Sequence, residues 1–242
     1  MKLQFTPGKT GKFLVIAVLS FTLIGIAVQL CKYTLKSDYL FGLIPLFDLS
    51  GDISIPAWYQ SATILICSVL LAIISIAKKK EKDKFAFHWR GLAVVFLYLS
   101  IDEAARIHET IGETLNLKVT GETHGFLHYT WVVFGAALAL VVAVAYINFL
   151  RHLPVKTMWL FILSGAIYVG GALGVEMINA RYDELYGNQN LTYQLMTVVE
   201  ECLEMVGIAL FIYTLISYIA AQNLELRATT IYIGEKDYTD EA

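Results

Sequence analysis

The stretch LSIDEAARIHETIG, residues 99–112, sets Asp102, Glu103, Arg106, His108 and Glu109 directly after the apolar run GLAVVFLY. Glu176 lies near the end of another apolar run, and VVEECLEM places Glu200, Glu201 and Glu204 inside a third. GETHGFLHYTW adds His124 and His128 at i, i+4. Carboxylates combined with imidazoles suit iron, manganese or zinc, whereas calcium takes oxygen alone. The expected chemistry is a carboxylate–histidine site for a divalent transition metal, with His108, Glu109, Glu176, Glu200 and Glu204 as its leading ligands. Asp102, Glu103, Arg106, His124, His128 and Glu201 are additional ligands or supports, Arg106 by orienting a carboxylate. Carboxylate-bridged di-metal bundles repeat a Glu-x-x-His pair that this chain lacks.

Acids in apolar helices need compensation. One at a bilayer centre costs about 2.5–3.5 kcal/mol, and several around one space repel. Protonation, a protein cation or a bound metal provides relief. Arg106 and Arg181 are the only permanent cations expected nearby, too few for the acids just named.

Helical phase predicts that these acids meet. At about 100° per residue, Asp102, Arg106 and Glu109 share one arc, with Glu103 and His108 on opposite flanks. Tyr193, Gln194, Thr197, Glu200, Glu201 and Glu204 fall within roughly a third of a second helix. Gly165, Ala172, Glu176 and Asn179 line one side of a third helix, where Gly165 and Ala172 would admit a close neighbour. Plain structural readings remain open beside the functional one. Arg106 forms a salt bridge with Asp102 or Glu109, Glu176 caps a helix or pairs with Arg181, and the two later histidines lie at an interface.

The elements that must position these residues are membrane helices. Hydrophobic residues make up 57% of the 242 and charged ones 16%, against about 25% charged in soluble domains. Six stretches reach the roughly 20 residues that a span requires: 13–32, 56–77, 88–112, 130–150, 157–180 and 191–221. The fold expected is therefore an all-α, six-helix transmembrane bundle in one domain, 1–225, with a short cytoplasmic tail, 226–242. The first stretch is longer than a signal-peptide core and no cleavage site follows it, so it reads as retained. Lysine and arginine concentrate in the N-terminal segment, in AKKKEKDKFAFHWR and in RHLPVK, which predicts cytoplasmic N- and C-termini. The acids then gather in the outer leaflet. Segment 33–55 is too apolar for a free loop; it lies along the outer surface or folds back over the bundle, capped by the Ser50-Gly51-Asp52 turn.

Other classes recede. A net charge of −3 without a basic, aromatic-laced cluster argues against nucleic acid. Cys31, Cys67 and Cys202 lie in apolar runs and read as packing residues, Cys202 beside Glu201 being the one soft-ligand candidate. Trp58, Trp89, Trp131, Trp159 and Tyr186 read as an interfacial belt.

The segments LFDLSGDISIPAWYQS, LYLSIDEAARIHE and VVEECLEMVG resemble those of an uncharacterised family of multi-pass bacterial membrane proteins. That resemblance implies the bacterial inner membrane and no activity. Asp102, His108, His124 and His128 also offer chemistry similar to the alkaline ceramidase and adiponectin receptor hydrolases, which hold intramembrane zinc. Those have seven helices and a later His-x-x-x-His pair, so the parallel is chemical only.

The leading expectation is a metal site in the outer leaflet, within a metal-dependent membrane enzyme that acts on a lipid-like substrate. One alternative is a cation or proton transporter or channel; another is an accessory subunit pairing with a membrane partner. Membrane lipids are the expected surroundings, and a homo-oligomer is compatible with the chain. The apolar inner halves of the helices favour a one-sided site over a conduit.

Overall fold

The computed structural model describes residues 7–51, 53–115 and 124–222. Asp52, Lys118 and the expected tail 226–242 lie outside the described residues. Every regular element described is helical. In chain order these are α1 (Pro7–Leu35), α2 (Leu43–Phe47), α3 (Ile55–Lys80), α4 (Ala86–Ala105) and α5 (Ile107–Leu115). They continue with α6 (Trp131–Ala145), α7 (Ile147–His152), α8 (Val155–Val169), α9 (Glu176–Tyr186) and α10 (Leu191–Ala221). A π-helical segment, Gly170–Val175, joins α8 to α9 without interruption.

Four of these helices are long and apolar enough to cross a membrane: Pro7–Leu35, Ile55–Lys80, Val155–Tyr186 and Leu191–Ala221. The other two expected spans are each divided. Residues 88–112 break at Arg106, whose φ of 51° and ψ of 44° are left-handed. A non-glycine residue there ends a helix. The stretch 130–150 breaks at Tyr146, between α6 and α7. Its hydroxyl reaches the His88 carbonyl at 3.1 Å, and its ring covers Gly91, where an added Cβ would stand 2.3 Å from that hydroxyl.

Local chemistry sets the other boundaries. Ser54 accepts from the Ala57 amide and Pro56 follows it, a favoured helix start. Asn190 caps α10 through the Tyr193 amide at 3.0 Å. Lys78, Lys79 and Lys80 occupy the last turn of α3, where cations complement the helix dipole.

The core sits toward that lysine-bearing end, around fully buried Trp89 and Phe149 with Phe161, Phe211 and Tyr218. Trp89 is therefore a core residue and departs from the expected belt, while Trp58, Trp159 and Tyr186 are exposed. Helices α3 and α4 lie close together, joined by Ser68 on the Ala93 carbonyl at 2.7 Å and by mutual bonds of Ser61 and Ser100. Helix α10 is the most buried of the four long helices and packs on α1, α3 and α8.

The connection between α1 and α3 folds back on the bundle. Gln29, fully buried, donates to Asp48 at 2.6 Å and to Ser50 at 3.2 Å, and Leu49 rests on Gly25. Asp48 also accepts from the Ser50 amide, so it organises the turn. Phe41 and Ile53 point outward, almost fully exposed.

Candidate functional site

At the end opposite Lys78–Lys80, the bundle opens into a cavity of about 1190 Å³. Asp102, Glu103, Arg106, His108, Glu109 and Glu176 line it, as do Glu200, Glu201 and Glu204. Three stretches that are distant in sequence thus deliver their acids to one space. The α10 stripe Tyr193, Gln194, Thr197, Glu200, Glu201 and Glu204 faces it throughout, as the 3.6-residue period requires.

The break at Arg106 changes the geometry of the first cluster. Beyond it the chain turns, and Asp102 becomes the acceptor at the start of α5. Its carboxylate takes the His108 amide at 2.8 Å and meets His108 Nδ1 at 2.7 Å. A continuous helix puts Asp102 in line with Arg106 and Glu109, and His108 on a flank. Instead Asp102 pairs with His108, while Arg106 contacts Glu109.

Glu176 opens α9, directly after the π-helical segment. Single π turns accumulate at functional sites and shift the helical phase of whatever follows. Within that segment Gly171 lies against α10, where an added Cβ would be 3.0 Å from the Glu200 carbonyl oxygen and from Leu203 Cβ. Gly165, expected at a close helix contact, instead faces the cavity with nothing within 4 Å of its Cβ position. The close contact falls at Gly207, against Tyr168 and Ser164 of α8.

Three carboxyls form the inner row, and their partners are neutral. Glu204 accepts from Gln60 at 2.9 Å, Glu200 from Asn179 at 2.6 Å, and Glu176 from the Trp131 indole at 3.2 Å. The Glu176 and Glu200 carboxyls lie within hydrogen-bonding reach of each other. Two ionised carboxylates have acceptors only, so this contact requires a proton between them. Gln60 Oε1, Asn179 Oδ1 and Gln194 Oε1 are buried without a hydrogen-bond partner.

His124 and His128 stand apart from the cavity. Helix α6 begins only at Trp131, so their i, i+4 spacing does not place them on a shared helical face. His124 meets Glu184 at 3.0 Å, and the same carboxylate holds the Gly125 amide and Arg181. Arg181 therefore serves Glu184 and not Glu176. The His128 ring lies beside Tyr129. Cys202 faces a small crevice with Thr22 and Ile26 of α1, away from the acids.

Trp131 belongs to the site and not to an interfacial belt, with its ring 4.4 Å from that of His108. Tyr129 donates to Asp183 at 2.7 Å and contacts the Tyr193 hydroxyl at 2.9 Å. Burial pushes the Tyr129 hydroxyl well above its usual range, and the bonds to Tyr193 and Asp183 act the same way, so it stays protonated. Gln60 was legible as an amide inside an apolar run. Nothing in the sequence singled out Tyr129 or Asp183.

The rest of the cavity is apolar. Leu92, Phe96, Phe161, Ile208 and Phe211 line its floor. Helix α6 forms one wall and meets the bundle at Trp131 on Gly112 and at Gly135 on Leu173. Val132 is its one buried residue, so most of this apolar helix is open. Among the described residues, no group of three or more His, Cys, Asp and Glu side chains is arranged to hold a metal ion.

No curated protein and no solved structure matches the chain. Residues 12–218 match the model of one family, described as a domain of unknown function (DUF8692). That match runs from within α1 to within α10, and the chain belongs to this family.

Proposed function

We propose that this is a six-span protein of the bacterial inner membrane, with both termini cytoplasmic, that takes up a lipid-like amphiphile. Its head would lie among the acids of the outer leaflet and its chain along the apolar floor. One observation carries this reading: a single cavity has carboxyls at one end and Leu, Ile and Phe at the other. Its volume of about 1190 Å³ slightly exceeds the range of about 300–1,000 Å³ usual for small-molecule pockets. The sparse packing of α6 supports access from the bilayer. The basic residues of the 78–90 and 151–156 connections support the orientation.

A photoactivatable amphiphile with its reactive group in the chain tests this. Labelling should fall on peptides from α8 and α10, and Gly165→Phe, which fills the apolar floor, should abolish it. Labelling spread over exposed α1 and α6 surfaces, unchanged in Gly165→Phe, would defeat the reading.

The contact between Glu176 and Glu200 favours a second reading. A divalent iron, zinc or manganese ion in place of the shared proton would be held by Glu176 and Glu200, with Glu109, Glu204 and His108 as further ligands. It would activate water beside the amphiphile, making the protein an enzyme. Elemental analysis after metal supplementation tests it, and the Glu176→Gln variant should lose any bound metal.

A further inference from the structure

The head of the amphiphile follows from what the inner row lacks. Glu176, Glu200 and Glu204 come from α9 and α10, and each is held by a different neutral group: an indole, a carboxamide of α9 and a carboxamide of α3. Among the described residues none of the three is ion-paired. One shared proton relieves a single pair. The row therefore has an excess of acceptors, and any carboxyl of it without a proton is a negative charge with no cation bonded to it.

The amides add to that excess. Gln60 and Asn179 have turned their N–H groups to the carboxyls, which leaves Gln60 Oε1 and Asn179 Oδ1 buried and unpartnered. Gln194, on the cavity wall, leaves its Oε1 in the same state. Unsatisfied buried acceptors are rare and call for a donor. Gln194 is the one of these amides that lines the cavity; a head that only donates and carries positive charge suits it and the carboxyls, and an ammonium is such a group.

Aromatic faces complete the surroundings. Trp131, Tyr129, Tyr168 and Tyr193 line the same end of the cavity. Indole and phenol faces attract cations through the ring quadrupole, most strongly where water is excluded. The apolar floor then continues from this chamber for the chain.

We propose that the guest is a single-chain amphiphile whose head is a protonated amine bearing N–H donors, seated among Glu176, Glu200 and Glu204 with its chain toward Phe161 and Phe211. This rests on the amphiphile reading above and adds the class of head.

The test is displacement of radiolabelled dodecylammonium from the full-length protein in neutral-lipid nanodiscs, corrected with empty nanodiscs. Competitors are dodecyltrimethylammonium, dodecyl sulfate and dodecyl maltoside, with methylammonium as the chainless control. Dodecylammonium should bind at least tenfold more tightly than the sulfate or the maltoside. It should also bind several-fold more tightly than the trimethyl compound, which has charge but no donors. Methylammonium should be weaker still. Glu200→Gln with Glu204→Gln should remove the preference for the ammonium and leave the chain contribution, while the wild-type series stands without any variant. Equal displacement by sulfate or maltoside would overturn the amine head alone. Displacement by zinc or manganese at micromolar concentration would replace it with a metal. If no dodecyl compound binds above empty nanodiscs, the amphiphile reading falls and the amine head with it.

Discussion

Glu176 of α9 and Glu200 of α10 lie within hydrogen-bonding reach of each other, and Asn179 donates to Glu200 at 2.6 Å. Two acids in an apolar bundle are thus held by a proton and a carboxamide, with no ion pair between them. Burial of a carboxyl is tolerated when its hydrogen bonds are made, so the geometry accounts for a row of acids that hydropathy alone would reject.

The row therefore responds differently to two substitutions of similar size. In Glu200→Gln the new amide donates to Glu176 and its carbonyl accepts from Asn179, so thermal stability should stay close to wild type. Asn179→Leu removes the donor and leaves Glu200 short of a partner, at a cost of about 1–3 kcal/mol. Thermal unfolding in neutral detergent checks this. The opposite order would show that the Glu176–Glu200 contact is not maintained by hydrogen bonding.

Gly171 controls how closely the π-helical segment approaches α10. A Cβ there would stand 3.0 Å from the Glu200 carbonyl oxygen and 3.2 Å from Glu204 Cγ. Gly171→Val should destabilise the protein by about 1–3 kcal/mol through overpacking. It should also weaken guest binding more than Gly174→Ala, since Gly174 has nothing within 4 Å of its Cβ position. Binding and unfolding measured on both variants separate the two effects.

Gly165 and Gly207 predict opposite signs. At Gly207 an added Cβ meets Tyr168 Cβ and N at 2.8 Å, so Gly207→Ala pushes α8 away from α10 and destabilises. Gly165 opens onto empty cavity, and Gly165→Ala should gain up to about 1 kcal/mol from helix propensity. Destabilisation at Gly165 would mean that the cavity is closed in the membrane.

Orientation is testable by reporter fusion. Fusions at residues 83 and 153 should report the cytoplasm, and fusions at 51 and 188 the external side. All four on one side, or the two pairs reversed, would contradict six spans with cytoplasmic termini.

Much of the site was legible because helical phase is a local property. The acids of α10 lie on one uninterrupted helix, Leu191–Ala221, whose bounds match those expected from sequence, so their common face follows directly. Phase arithmetic fails where the backbone departs from an α-helix. Arg106 adopts a positive φ with no glycine or proline to announce it, and so His108, expected on a flank, meets Asp102. The π turn at Gly170–Val175 is a second such departure. Its glycines at 170, 171 and 174 were the available signal. The place of Trp131 near a helix end points to a membrane interface, where tryptophan usually lies. Only tertiary packing reveals that its indole serves Glu176.

Native mass spectrometry of the protein released from nanodiscs doped with dodecylamine tests the central claim most directly. The wild type should retain one amphiphile per chain, and the Glu200→Gln, Glu204→Gln double variant, equally well folded, should lose it. A wild type that emerges bare, or a double variant that holds the amine as tightly, would show that the carboxyl chamber does not select a positively charged head.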